Sequence, residues 1–320
     1  MENYIKAKKI VSKRFPEEDP YYTFFIMGLY GILSKYPSYE EEIDAIFQRI
    51  DIFIEKKAVS EILRDHNLGY EEEFQEDEND PTFTFGLSSR GDSFYFDDDG
   101  KIYSDSTKPF LICSSKYLNP TYLLNTFIHE FNHLLKSYYN GAAIMEKDDS
   151  NSYFIRSGFN ITTSRYDKNN HSITDLCLYD TIDEVINVLQ TTEMMEDIYA
   201  LKDIILDSRI QSFFQLLSKD YIGDDLGYNT CCDEVRELWK NDTFKSIMET
   251  HLMDGNVFEA IRKYDAIMGE EHFDKLADAL EKLDDMENMG IEGEELKRKQ
   301  DAVRSIVEMF QKKTQKIYKK

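Results

Sequence analysis

The chain has 320 residues, 41% of them hydrophobic and 13% aromatic, enough to bury a sizeable core without external staples. Sixty-two acidic residues against 38 basic ones give a formal net charge of -24. Such a surface repels phosphate backbones, which argues against a nucleic-acid partner and favours a cationic peptide.

Four cysteines, Cys113, Cys177, Cys231 and Cys232, form no CxxC pair and include two neighbours. They read as reduced thiols rather than a disulfide framework or a zinc knuckle. The basic cluster Lys6, Lys8, Lys9, Lys13 and Arg14 runs into Pro16-Glu17-Glu18-Asp19-Pro20 instead of an apolar signal segment. The longest apolar run, Phe24 to Leu33, contains Gly28 and Gly31 and is too short to span a bilayer. A buried helix, no membrane span and a cytoplasmic setting are expected.

From Pro20 to about Arg64 the apolar residues, among them Ile43, Ile46, Phe47, Ile50, Phe53 and Ile54, recur with helical spacing and predict two or three helices. Pro37-Ser38 marks a joint between the first two. An acidic stretch, Glu71 to Asp80, closed by Pro81, reads as an exposed connection. Short β-type runs follow at Thr82 to Phe85, Ser93 to Phe96, Lys101 to Tyr103 and Phe110 to Cys113. Asp97-Asp98-Asp99-Gly100 lacks the ligand spacing of a calcium loop and predicts a hairpin turn.

Asn119-Pro120 supplies a helix start and Asn140-Gly141 a stop. Two further β-type runs, Tyr153 to Tyr166 and Ser172 to Tyr179, are joined by the turn formers Asp167-Lys168-Asn169-Asn170. From Thr181 onward the pattern is helical and ends in a basic tail, Lys312 to Lys320. This divides the chain into an N-terminal helical region with its acidic connection (1–80), a central core (81–200) and a C-terminal helical subdomain completing a cleft (201–320).

The helix opened by Asn119-Pro120 carries His129-Glu130-Phe131-Asn132-His133. Leu124, Phe127, Ile128, Phe131, Leu134, Leu135 and Tyr138 form its core-facing stripe. The i, i+4 histidines share a face one turn apart, the arrangement that two zinc ligands need, and Glu130 projects near the same edge to take a proton from an activated water.

A catalytic zinc needs a third protein ligand. The HExxHxxGxxH arrangement is absent, with Lys136 at the glycine and Tyr139 at the third histidine. Glu184, at the opening of the next predicted helix, is the better candidate, although Thr181-x-x-Glu184 also reads as a capping box. Glu193, Glu196, Asp197 and the turn residue His171 are alternatives. His66, His251 and His272 lie in charged surroundings unrelated to metal.

Between about Thr82 and Ile198 the chain resembles the gluzincin branch of the zincin metallopeptidases, in which HExxH lies on one helix and a glutamate on a following helix completes the site. The resemblance implies an α+β, zincin-like fold: a small mixed sheet with an active-site helix, flanked by N- and C-terminal helical regions. It implies Zn2+ held by His129, His133 and Glu184, the last within Asp183-Glu184-Val185-Ile186-Asn187, with Glu130 as the base. Val188 stands where the family has an aspartate, so Asp183 or Asn187 is left to orient a histidine.

The resemblance further implies that an edge strand pairs with an extended peptide, the candidates being Ser93 to Phe96 and Phe110 to Cys113. Tyr228 is the candidate for steadying the oxyanion. Three functions follow: a zinc metallopeptidase acting on peptide or protein substrates, a regulatory protease for one specific protein, or a non-catalytic zincin-like binding module.

Overall fold

The computed structural model describes residues 1–68, 86–115, 119–138, 142–218 and 228–317. The acidic stretch Glu71 to Asp80, the strand expected at Thr82 to Phe85 and the helix stop at Asn140-Gly141 lie outside the described residues. The architecture is α+β.

In chain order, helices α1 (Glu2–Val11), α2 (Tyr22–Lys35) and α3 (Glu40–Arg49) lead into strand β1 (Asp51–Glu55) and helix α4 (Val59–Asp65). Strands β2 (Gly86–Ser89), β3 (Asp92–Phe96), β4 (Ile102–Ser106) and β5 (Phe110–Ser114) precede α5 (Pro120–Lys136). Strands β6 (Ala142–Glu146), β7 (Ser150–Ser157), β8 (Asn160–Asp167) and β9 (Ser172–Leu178) lead to α6 (Asp180–Ala200). The remainder is helical: α7 (Ser208–Leu216), α8 (Asn229–Trp239), α9 (Asp242–Asp254), α10 (Val257–Met268), α11 (His272–Asn288) and α12 (Glu294–Ile317).

Backbone proximity gathers these elements into two units. The first comprises Met1–Ser93, Asp105–Leu135 and Gln190–Leu226; the second comprises Phe94–Ser104, Lys136–Leu189 and Gly227–Lys320. Both α5 and α6 are continuous helices with residues in each.

In the first unit the apolar run Phe24 to Leu33 is indeed a buried helix, and Pro37 opens a short 3-10 turn between α2 and α3. Phe24 and Phe25 pack on Phe127 of α5 with ring centroids 5.4 and 5.5 Å apart. The expected helix through Ile50, Phe53 and Ile54 is instead the strand β1. A short apolar run has no decisive period, and parallel pairing with β5, Asp51 opposite Phe110, settles it.

The sheet order is β1-β5-β2, with β2 antiparallel to β5 and α4 packed on β5 through Val59, Ile62 and Leu63. Strand β5 is therefore paired on both sides, so Phe110 to Cys113 cannot serve as the edge strand expected from the resemblance. Among the described residues the edges of this sheet are β1 and β2, while the other expected segment, Ser93 to Phe96, lies in β3, which pairs with β4 alone.

In the second unit β6-β7-β8-β9 form an antiparallel meander. The expected single run from Tyr153 to Tyr166 is two strands, because Gly158, at φ +58°, reverses the chain after Ser157. Strand β6 was not signalled by any alternation. The β8–β9 turn follows expectation: an Asp167 carboxylate oxygen accepts the Asn169 and Asn170 amides at 2.8 and 3.2 Å.

The aspartate run after β3 is likewise a turn. The Asp97 carboxylate accepts the amides of Asp99 and Lys101 at 3.1 and 2.8 Å, and Gly100 adopts φ +72°. A Cβ at Gly100 would stand 2.0 Å from the Tyr166 ring. The core of this unit joins Phe159, Ile182 and Val185 to Tyr264, Phe273 and Phe310 of the C-terminal helices.

Lys136 and Asp183 also meet in this unit, at 3.8 Å, with side chains 0% and 2% exposed. Asp183 accepts the Phe159 amide at 2.8 Å. Removing one member of such a pair strands the other charge in low dielectric. Lys136→Met is expected to lower unfolding free energy by about 3–5 kcal/mol. The double variant Lys136→Met/Asp183→Asn should recover most of that loss, as measured by urea denaturation.

Candidate metal centre

Helix α5 begins as its sequence requires. The Asn119 side-chain oxygen accepts the backbone amides of Thr121 and Tyr122 at 2.9 and 3.0 Å, and Pro120 occupies the first helical position. Leu124, Phe127, Ile128, Phe131, Leu134 and Leu135 are all buried. Tyr138, expected in the same stripe, is exposed in the turn after the helix, because the helix ends at Lys136.

With the stripe anchored, His129 and His133 project together from the half-buried face. Their Nε2 atoms converge to 3.1 Å, and the rings stand edge to face with centroids 4.8 Å apart. Glu184 on α6 brings a carboxylate oxygen to them: the three donor atoms all lie within 4.8 Å of one another. Among the described residues this is the only group of three or more His, Cys, Asp or Glu side chains so disposed. Ligand distances of about 2.0–2.1 Å around a tetrahedral ion place neighbouring donors roughly 3.3 Å apart. The imidazole pair already has that spacing, at 3.1 Å, and the Glu184 oxygen stands within 4.8 Å of both. Two imidazoles and one carboxylate fit zinc with a fourth position open.

Helix α6 starts at Asp180, so Thr181 lies inside it rather than at its N-cap, and the capping-box reading of Thr181 and Glu184 does not apply. The other candidates are elsewhere. Glu193 pairs with Lys35, Glu196 and Asp197 are exposed, and His171 Nδ1 meets the Tyr166 hydroxyl at 2.7 Å in the β8–β9 turn. The His66 ring lies against Phe53 with centroids 4.2 Å apart and beside Glu55, and His272 lies half-buried at the start of α11.

Glu130, beside the first histidine, is held from β2. The Ser88 hydroxyl donates to its Oε2 at 2.9 Å. Gly86 lies so close that a Cβ there would be 2.7 Å from Glu130 Oε1 and 2.5 Å from Thr126. Opposite Gly86 on β5 is Cys113, whose thiol burial pushes well up, with the Glu130 charge adding to the effect. A thiol kept protonated is neither a nucleophile nor a ligand.

Lys136 takes the place of the glycine in the longer zinc pattern, and it is fully buried. Burial lowers its pKa, opposed by Asp183 and then Glu184. Asp183, one of the two residues expected to orient a histidine, is engaged with Lys136 and the Phe159 amide. Asn187 is fully buried on the same helix. Tyr228 immediately precedes α8 with left-handed backbone, φ 55°. Burial pushes its phenol up, and Glu184 and Asp180 add to the shift, so Tyr228 lies within electrostatic reach of Glu184 as a protonated donor.

Gly86 and Ser88 carry no sequence signal that marks them, and neither does the pairing of Lys136 with Asp183. A serine in a short strand and a lysine after a histidine are ordinary surface residues until the fold places them.

No family model, no curated protein and no solved structure matches the chain. The site therefore rests on its own donor geometry. Purified protein incubated with Zn2+ and desalted is expected to retain about one ion per chain by elemental analysis, as three protein ligands require. His129→Ala, His133→Ala and Glu184→Ala should each remove it, while Glu193→Ala should leave it unchanged; equal retention in Glu184→Ala would exclude the third ligand.

Proposed function

We propose that the protein is a zinc-dependent metallopeptidase with a zincin-like, gluzincin-type centre. The observation that carries this reading is the convergence of His129, His133 and Glu184, with the Glu130 carboxylate at the same helix edge. When bound, Zn2+ lowers the pKa of a coordinated water to near neutrality and polarises a carbonyl. His129 and His133 would hold the ion through ring nitrogens, and Glu184 would supply the third donor and part of the charge balance. Glu130 accepts a proton from the attacking water and returns it to the leaving amine.

Strand β2, one of the two edge strands of the three-stranded sheet among the described residues, lies beside Glu130. An extended peptide added to that edge by main-chain hydrogen bonds would pass the base. Tyr228, protonated and in reach of Glu184, is the donor proposed for the developing oxyanion. A net charge of -24 favours cationic substrates over acidic ones.

The test uses a broad peptide library with zinc-loaded protein. Wild type is expected to cleave a subset, and Glu130→Gln should lose at least about 100-fold in rate, the scale of a general base, while keeping its zinc. Chelation should abolish cleavage and added Zn2+ restore it. Stoichiometric zinc without cleavage in the library, and without any Glu130-dependent product in the native proteome, would replace the peptidase reading with that of a binding module.

A further inference from the structure

We propose that β2 is the positioning element for the general base, with Ser88 orienting the Glu130 carboxylate and Gly86 supplying the space it occupies; this rests on the metallopeptidase reading above. The argument begins with what a base on a helix lacks. A glutamate side chain has three rotatable bonds, and neighbouring helical residues constrain its carboxylate weakly. A base acts only when its oxygen is placed to a fraction of an ångström, and a displacement of about 1 Å costs on the order of 100-fold. Something outside α5 must therefore hold it.

The structure places β2 in that position. Ser88 donates to Oε2 at 2.9 Å, a charge-assisted hydrogen bond that selects one rotation of the carboxylate. Two residues away on the same face of the strand, Gly86 lets the backbone pass where any side chain would strike Glu130 and Thr126. Its φ is not in the left-handed region, so it is the contact with α5, not backbone conformation, that requires glycine. Antiparallel pairing of Gly86 with Cys113 and Ser88 with Leu111 fixes the register, and a slip of one residue would turn both positions away from the helix. Ser88 and Gly86 act on the base, through the Ser88 hydrogen bond and the room left at Gly86, so they are positioning residues.

The test uses full-length, zinc-loaded protein and a peptide that wild type cleaves. Ser88→Ala is expected to lower kcat by about 10-fold or more, with KM and zinc content unchanged, because the hydroxyl acts on the base and not on binding. Ser88→Thr, which keeps the hydroxyl, should recover most of that loss. Gly86→Ala should reproduce the kcat defect, since its Cβ displaces the Glu130 carboxylate. An independent readout uses metal-free protein: the Tm shifts of Ser88→Ala and Glu130→Ala should be non-additive in the double variant.

Ser88→Ala activity within twofold of wild type, or additive Tm shifts, would overturn the positioning role while leaving the peptidase reading intact. A wild-type protein that neither holds zinc nor cleaves any peptide would overturn that reading, and the inference with it.

Discussion

Two charged side chains, Lys136 from the end of α5 and Asp183 from the first turns of α6, meet in the protein interior at 3.8 Å. At that distance the contact is an ion pair rather than a hydrogen bond, and its strength comes from the low dielectric around it. Three residues before Lys136 is His133, and directly after Asp183 is Glu184. The pair thus joins the two helices at the level where their donor atoms converge, and Asn132 and Gln190, at 3.2 Å, join them again further along. A metal centre built from distant parts of a chain needs such a fixed register, because an error of one residue on a helix rotates a side chain by about 100°.

The cost of that arrangement is a set of polar groups inside the core. Lys136, Asp183, Asn132, Asn187 and Gln190 are all buried. Replacing them with apolar residues would favour stability, and their presence along the α5–α6 contact places polar matter where a purely structural core would have none. Proteins concentrate such departures from the apolar pattern at functional sites. Asp180 and Glu184 lie near enough to Tyr228 to add to the upward push that burial gives its phenol.

Where β2 meets α5 the constraint is steric. Strand β2 approaches the helix closely enough that only glycine fits at position 86, and the approach brings Ser88 to the base. In the proposed centre, strand and helix would divide the work: α5 presents His129, His133 and Glu130 together, α6 brings Glu184, and β2 holds the Glu130 carboxylate through Ser88. No helix among the described residues is long and apolar enough to cross a membrane.

Local signals were sufficient for much of this. Asn119-Pro120 determined where α5 begins, its apolar stripe determined which face is buried, and the i, i+4 spacing of His129 and His133 made the two imidazoles neighbours whatever surrounds the helix. These are properties of a single helix, and helical periodicity acts over a few residues. The aspartate turn after β3 and the Asp167 turn were legible for the same reason, since their side chains bond amides two to four residues away. The strand β1, hidden in an apolar run of ambiguous period, became a strand only through its pairing with β5, more than fifty residues later. Glu184 as the third donor, Ser88 and Gly86 around the base, and Lys136 as a buried cation were likewise decided by tertiary structure. Each depends on two segments far apart in the chain coming within a few ångströms, and spacing along a sequence carries no measure of that distance.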